Sequence, residues 1–343
     1  MARAGQIDPM PQPIAMNTPH IVGWGHTPFG KLDTLDLEQL LRDAALPAMA
    51  SAGLEPSDID GIFIGHFNAG FVRQDFSGAM AAVAIPEFRH TPAVRMENAC
   101  ATGSAAIWAA LDALASGRVV RALVVGMEKM NTLPNAQIGA TLLKCSYVKE
   151  EGDTPGGFAG VFGSIAQQYF ERFGDQSDAL AAISAKNHGN GVANPFAHMR
   201  RDLGFEFCRD PTRFEGAALA WGRSLVQARV SLTDLHFVET HDCFTIAEWL
   251  EYEAMGLAPH GRGARVILDG VSRKGGKLPV NPSGGLKSRG HPIGATGVSQ
   301  QVMAAMQLSG TAGAMQVEGA RLGAVFNMGG AAVANYLSVL EAA

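Results

Sequence analysis

A chain of 343 residues with a formal charge of -5 at pH 7 lacks the basic surplus expected of a protein whose main partner is nucleic acid. Hydrophobic residues at 47% against 17% charged permit a large buried core, and the length suits two domains or one unit built in two halves. No apolar run reaches the length of a membrane span, so membrane insertion is not expected.

In chain order, Met1 to Pro19 has four prolines and no continuous apolar core, and reads as a loose leader over 1–19, not as a secretory signal. The alternation of His20-Ile-Val-Gly-Trp-Gly25 predicts a short strand, and Leu37 to Ala52 an amphipathic helix. Ser57-Asp58 cap a turn into the strand Ile62–His66. Ala93 to Glu97 reads as a strand, followed from Thr102 to Ser116 by a helix whose only charge is Asp112. A helix apolar on every side is expected to be buried on every side. Ala122-Leu-Val-Val-Gly126 is a buried strand ending in Met127-Glu-Lys-Met130. Strands alternating with helices indicate an α/β fold with a mainly parallel sheet.

Residues 131–208 differ. They are rich in Gly, Asn, Phe and polar residues, with helical pieces near Gly163–Phe173 and Ser177–Gly189. A long insertion after a core strand is more often a functional cover than an accident. From Phe214 the opening pattern returns: a helix to Val230, a cap at Thr233-Asp234 and a strand Phe237–His241. Ala101-Thr-Gly opens this first buried helix and Ser116-Gly117 closes it; Ala295-Thr-Gly opens a second, which has no charge, and Ser309-Gly310 closes that. Arg121–Met127 likewise echoes Arg321–Met328.

The chain therefore carries one α/β unit twice, over 20–130 and 209–343. Two equivalent buried helices need cover on both sides, which predicts them face to face between two sheets with amphipathic helices outside. That is a five-layered αβαβα arrangement. The repeat also exposes a gap: nothing before Phe214 matches the strand at His20–Gly25, so a block is missing at 208/209.

Cys100 stands at the turn between a strand and the first buried helix. Helix N-terminal N–H groups and the dipole there favour thiolate over thiol. Three other segments fall at strand ends, where ligands of α/β sheets gather. They are Thr240-His241-Asp242-Cys243-Phe244, Asn281-Pro-Ser-Gly-Gly-Leu-Lys-Ser-Arg-Gly-His291-Pro, and Phe326-Asn327-Met-Gly329-Gly330. A thiolate to attack a carbonyl, imidazoles to move protons and N–H donors to hold an oxyanion are the parts of nucleophilic acyl transfer. The four cysteines (Cys100, Cys145, Cys208, Cys243) form no framework and read as free thiols, which puts the protein in a reducing compartment and by default the cytosol. No zinc-type spacing of Cys and His occurs, so no metal is expected.

Taken together, these four segments resemble the thiolase superfamily, most closely its sterol-carrier-protein-type branch, in which His-Asp-Cys-Phe stands where other thiolases have Asn-Glu-Ala-Phe. The resemblance spans about 20 to 340 and implies the five-layered fold. It implies Cys100 as the acyl-accepting nucleophile and His291 as its activator. Cys243 would be a second, acid/base cysteine, and His241 would share the thioester-oxygen site with His291. The backbone N–H groups of Cys100 and Gly329 would form a second oxyanion hole. In many thiolases a cysteine stands at the place of Asn327; its absence fits the branch that moves that role to the His-Asp-Cys-Phe loop. The insertion 131–208 would be the loop domain that covers the acyl pocket.

The implied activity is acyl-CoA C-acyl transfer, by thiolysis of a 3-oxoacyl-CoA or condensation of two acyl-CoAs. Coenzyme A would be a substrate, with no permanently bound cofactor and no coenzyme A contact assigned. A homodimer or homotetramer is implied. Two alternatives belong to the same resemblance: a carbon–carbon lyase working with a small zinc-ribbon/OB-fold partner, and a non-catalytic partner subunit that keeps the fold.

Overall fold

The computed structural model describes residues 18–202, 204, 221, 224–330, 332 and 334–343. The leader to residue 17, the stretch 205–208, the break at 208/209 and the start of the helix expected from Phe214 lie outside the described residues; 224–228 are helical.

Two sheets form the frame. In the first, β1 (Gly61–Gly65) lies between β2 (Ala93–Met96) and β3 (Ala122–Gly126), all parallel, with Ile62 opposite both Ala93 and Leu123. In the second, β4 (Phe237–Glu239) runs parallel to β5 (Leu322–Gly329), which pairs antiparallel with β6 (Ala334–Glu341). Val280 bridges onto Val238 on the other side of β4. The helices are α1 (Leu37–Ala52), α2 (Ser77–Ala84), α3 (Thr102–Ala115), α4 (Asn135–Leu143), α5 (Val148–Glu151), α6 (Gly157–Phe173), α7 (Ser177–Gly191), α8 (Thr245–Ala254), α9 (Ala264–Leu268), α10 (Gly285–Arg289) and α11 (Thr296–Leu308).

Period-two alternation sorts each strand's side chains between two cores. Ile62, Ile64, Leu123 and Val125 point outward to Leu41, Ala45 and Met49 of α1 and Met80 of α2, while Phe63 points inward to Ala106 and Ala110 of α3. In the second sheet Phe237 and Val325 face Ala304 of α11, whereas Val238, Phe326 and Met328 face Ile246 and Trp249 of α8. With α3 packed on α11, the order is αβαβα, five layers.

Local signals set the elements. Asp36 caps α1 by accepting from Gln39 N at 2.7 Å, Gln39 returns to Asp36 N at 2.9 Å, and Gly53 ends the helix with φ 67°. The two central helices meet at glycines: a Cβ on Gly103 would lie 2.8 Å from Val298 N, and one on Gly297 2.4 Å from Ser104 N. Only glycine lets the two helix starts approach this closely.

Two expectations fail. His20–Gly25 is not a strand. It lies against α1, with Trp24 N donating to Ser51 Oγ at 2.9 Å and Gly25 so close that a Cβ would sit 2.2 Å from Ala44 O. A cavity of about 260 Å³ separates it from β3, walled by Ile107, Leu111 and Leu114 of α3. A strand needs a ladder for its N–H groups, and none is within reach there. Nor is α3 buried on every side: Trp108 is 39% exposed, with its ring 6.2 Å from that of Tyr336. The strand β6 had no counterpart in the sequence reading.

Candidate active site

The turn carrying Cys100 is tightly determined. Ala99 takes φ 46°, a left-handed conformation uncommon for a residue with a side chain. Ala99 N donates to Glu97 Oε1 at 2.6 Å, Ala101 N to Asn98 O at 2.9 Å and Thr102 N to Ala99 O at 3.0 Å. The result is a thiol 3% exposed at the head of α3. Gly329, at the end of β5, backs the turn: a Cβ there would lie 2.6 Å from Asn98 O and 3.2 Å from Ala101 N.

His291 hangs in the loop between α10 and α11. Its Nδ1 is 2.7 Å from Thr296 Oγ1, and that hydroxyl spends its own proton on Pro292 O at 3.0 Å. Nδ1 therefore donates, and Nε2 keeps a lone pair. The loop is held by Glu128, at the end of β3, which accepts from Gly294 N, Phe67 N and Asn68 N, each at 3.0 Å.

His241 ends the β4 segment, fully buried, with its ring centroid 4.9 Å from that of His291 at 85°. One ring nitrogen of each histidine and Cys100 Sγ lie within 4.8 Å of one another. Both Nδ1 atoms are engaged elsewhere, so Nε2 is the nitrogen each offers; neither Nε2 has an aligned hydrogen bond. Burial pushes His241 down to about 4, against the pull of Cys100, so the ring is neutral near pH 7.

Cys100 is held well below the ordinary thiol range. The largest cause is a hydrogen bond from Cys145; hydrogen bonding by both histidines, and the charge of His291 once it has taken up a proton, add to it, against burial. Cys145 is pushed up by the same contact and by burial, and it packs in one cluster with Cys100. Cys145 follows α4, where Lys144 Nζ donates to Ala69 O at 2.6 Å and Leu142 and Ile138 pack with Phe67, Phe71 and Cys100 itself.

Cys243 stands apart from this trio. It packs at the edge of the main core, and its thiol is raised, first by burial and then by the charge on Cys100. Between the two, Asp242 braces the loop: Oδ1 accepts from Leu286 N at 2.6 Å and Oδ2 from Lys287 N at 3.1 Å and Asn187 Nδ2 at 2.7 Å. Behind it Glu248 takes up Lys186 and Asn281. A cavity of about 320 Å³ opens beside His291, lined also by Phe29, Lys31, Lys129 and His198. Neither that cavity nor the apolar space beside α3 has Cys100 in its lining.

The structure thus joins Cys100, His241 and His291, backs them with Gly329 and leaves Cys243 a step behind. Sequence reasoning missed four residues of the site. Glu128 had a signal, a lone acid closing a buried strand. Thr296 had one too, as part of the repeated Ala-Thr-Gly. Asn327 was noted only as a place without cysteine. Nothing in the sequence marks Cys145 as a neighbour of Cys100.

A five-layered doubled fold with a buried cysteine at the head of one central helix and a Gly-His-Pro loop before the other is the thiolase arrangement. The chain belongs to that family: the model "Thiolase, N-terminal domain" matches residues 20–203 and "Thiolase C-terminal domain-like" matches 201–342. It is similar to the acetyl-CoA acetyltransferase of Methanothermobacter thermautotrophicus, 30% identical over 371 residues, covering 90% of this chain and 96% of that protein. It is also similar to sterol carrier protein 2 of Bos taurus, at 28% identity over 91% of this chain and 70% of that one. A third relative is the benzoylsuccinyl-CoA thiolase subunit BbsB of Thauera aromatica, at 28% over 87% and 91%. An alignment of 371 positions that uses 90% of 343 residues leaves about 60 positions of the archaeal relative without a counterpart here.

Among solved structures, the Ltp2-ChsH2(DUF35) aldolase superposes with a TM-score of 0.74 at 20% identity, covering 94% of this chain and 97% of that one. The acetyl-CoA acetyltransferase from Syntrophomonas wolfei gives 0.65 at 17% identity, over 94% and 98%. At such identities these two attest the fold alone. Among the described residues, no helix is long and apolar enough to cross a membrane.

Proposed function

We propose that the protein is an acyl-CoA C-acyltransferase that cleaves 3-oxoacyl-CoA with coenzyme A, or condenses two acyl-CoAs, through an acyl group carried on Cys100. The observation that carries this reading is the buried trio of a depressed thiol and two imidazoles within 4.8 Å of one another. Cys100 thiolate attacks the carbonyl, and the developing oxyanion is met by the N–H groups of Cys100 and Gly329. His291, with its free Nε2 lone pair, takes and returns the proton of the sulfur. His241 donates to the thioester oxygen of the second acyl group. Cys243 supplies or removes the proton at the α-carbon. Two donor sets are needed because a carbanion next to a thioester is an enolate whose charge rests on oxygen.

The protein would work in the cytosol as a homodimer or homotetramer, with coenzyme A as substrate and no resident cofactor. A lyase of the aldolase type, working with a small zinc-ribbon/OB-fold partner, has less support, since it has no use for an acyl-thiol intermediate. The experiment is intact-protein mass spectrometry after mixing with acyl-CoAs. One acyl group is expected on the wild type and none on Cys100→Ala. Turnover of a 3-hydroxyacyl-CoA without coenzyme A and without an adduct would replace this reading with the lyase; no reaction with any acyl-CoA would leave a non-catalytic subunit.

A further inference from the structure

Asn327, on β5, is completely buried and has three partners. Its Oδ1 is 2.7 Å from Ser104 Oγ on α3; its Nδ2 is 3.3 Å from the carbonyl oxygen of Cys100 and 2.8 Å from Nδ1 of His241. A backbone carbonyl can only accept, so the amide nitrogen, not the oxygen, must face Cys100, and Ser104 donates to Oδ1. With the amide fixed this way round, Asn327 presents an N–H to His241 as well. His241 Nδ1 must then accept.

A neutral imidazole carries one proton. If Nδ1 accepts, the proton is on Nε2, and burial keeps the ring neutral. Nε2 is buried and unpartnered, close to Cys100 and His291. His291 has the opposite assignment, because its Nδ1–H donates to Thr296 Oγ1, whose own hydrogen goes to Pro292 O. The two histidines, equal by sequence, thus enter the pocket as one donor and one acceptor.

We propose that Asn327 is a positioning residue that locks His241 as the Nε2–H tautomer, making it an obligate hydrogen-bond donor to a thioester oxygen and leaving the proton traffic to His291. The proposal rests on the acyl-transfer reading for its substrate, but the tautomer itself does not. The same lock bears on metal binding. Cys100, His241 and His291 have the spacing of a three-ligand cation site, but a nitrogen that holds a proton cannot coordinate a cation.

The test has two arms. The first is nitrogen and carbon NMR of histidine-labelled protein, assigned with His241→Gln. The wild type is expected to show His241 protonated at Nε2. Asn327→Asp, whose carboxylate only accepts, is expected to move that proton to Nδ1. A wild type with the proton on Nδ1 overturns the proposal, whether or not the protein acylates. The second arm compares two reactions of the same sulfur in Asn327→Ala. Acylation by acyl-CoA needs an oxyanion donor and is expected to fall by about 100-fold in kcat with KM little changed. Alkylation by iodoacetamide needs none and is expected to fall by less than about tenfold, the part of the thiolate fraction that His241 supports. Equal losses in both reactions would mean that Asn327 merely holds the Cys100 turn together, and would sink the proposal. If Asn327→Ala does not fold, Asn327→Asp carries both arms.

Discussion

Counted from their shared Ala-Thr-Gly starts, α3 and α11 correspond residue by residue, Gly103 with Gly297 and Ala110 with Ala304, yet they sit in different surroundings. α11 is buried along nearly its whole length, packed between two sheets' worth of side chains. α3 is buried on every side over its first turns only; further along, Ala110 and Ala113 stay buried but Trp108 is exposed and Ile107, Leu111 and Leu114 border an apolar space. The sheets differ in the same sense. The second continues past β5 into the eight-residue β6. The first ends at β3, whose outer edge has no ladder among the described residues. A repeated sequence reproduces the local unit faithfully, but how fully a helix is buried depends on what stands beside its sheet. The active site is insulated from the difference, because it is built at the helix starts, where the glycines bring the two halves into contact.

The largest stability effects should appear at that contact, and should be alike in the two halves. Gly103→Ala and Gly297→Ala each push a Cβ into the partner helix's backbone, at 2.8 and 2.4 Å, where no flexible side chain can give way. A loss of about 3 kcal/mol is expected for each from urea unfolding. If either variant melts like the wild type, the shared crossing is not the element that joins the halves.

Next in size is a paired substitution whose outcome should differ. Ala304→Ile overfills a site with no exposure and should cost roughly 1–3 kcal/mol. Ala110→Ile adds the same atoms beside the cavity and should be neutral or slightly stabilising. Equal costs would show that the space next to α3 is closed in solution.

A third effect, absent at neutral pH, is on acid stability. His26 and His241 are both lowered from 6.5 to about 4, chiefly by burial. The unfolded chain therefore binds protons in this window that the folded chain does not, so stability is full above about pH 6.5 and falls as pH drops toward 4. Thermal melts should shift down over that interval. His26 sits on the 18–27 segment, hydrogen-bonded to Ser299 at 2.7 Å. His26→Asn should remove part of the acid slope, and an unchanged slope would place the proton uptake elsewhere.

A reactivity measurement sharpens the chemical side of the same comparison. The first half supplies the Cys100 sulfur, and the insertion after it supplies the neighbouring Cys145. Cys145→Ala should slow iodoacetamide alkylation of Cys100 at pH 6, where a thiolate is scarce without that neighbour, by about tenfold, and should change it far less at pH 9. A pH-independent change would mean Cys145 acts by packing.

Much of the frame was legible. The spans of α1 and β3 follow from the spacing of apolar residues, with Asp36 and Gly53 as stop signals. Cys100 and His241 stood out because each follows the end of a strand, and His291 because of the dense glycine around it. Other features were not legible, for physical reasons. The segment His20–Gly25 alternates like a strand, but alternation says only which face is apolar, not whether a neighbour's backbone lies within hydrogen-bonding reach. Cys145 sits in an irregular stretch where no periodicity fixes direction, so its approach to Cys100 depends on how α4 packs on Phe67 and Phe71.

By itself, the amino-acid order determined the duplicated unit, the family and which residues are candidates for chemistry, since these depend on local propensity and on side-chain identity. Only the tertiary structure decided which nitrogen of each histidine keeps its proton, which sulfurs pack together, and which half has an open sheet edge. Those are properties of distance and orientation between segments far apart in the chain, and no local pattern encodes them.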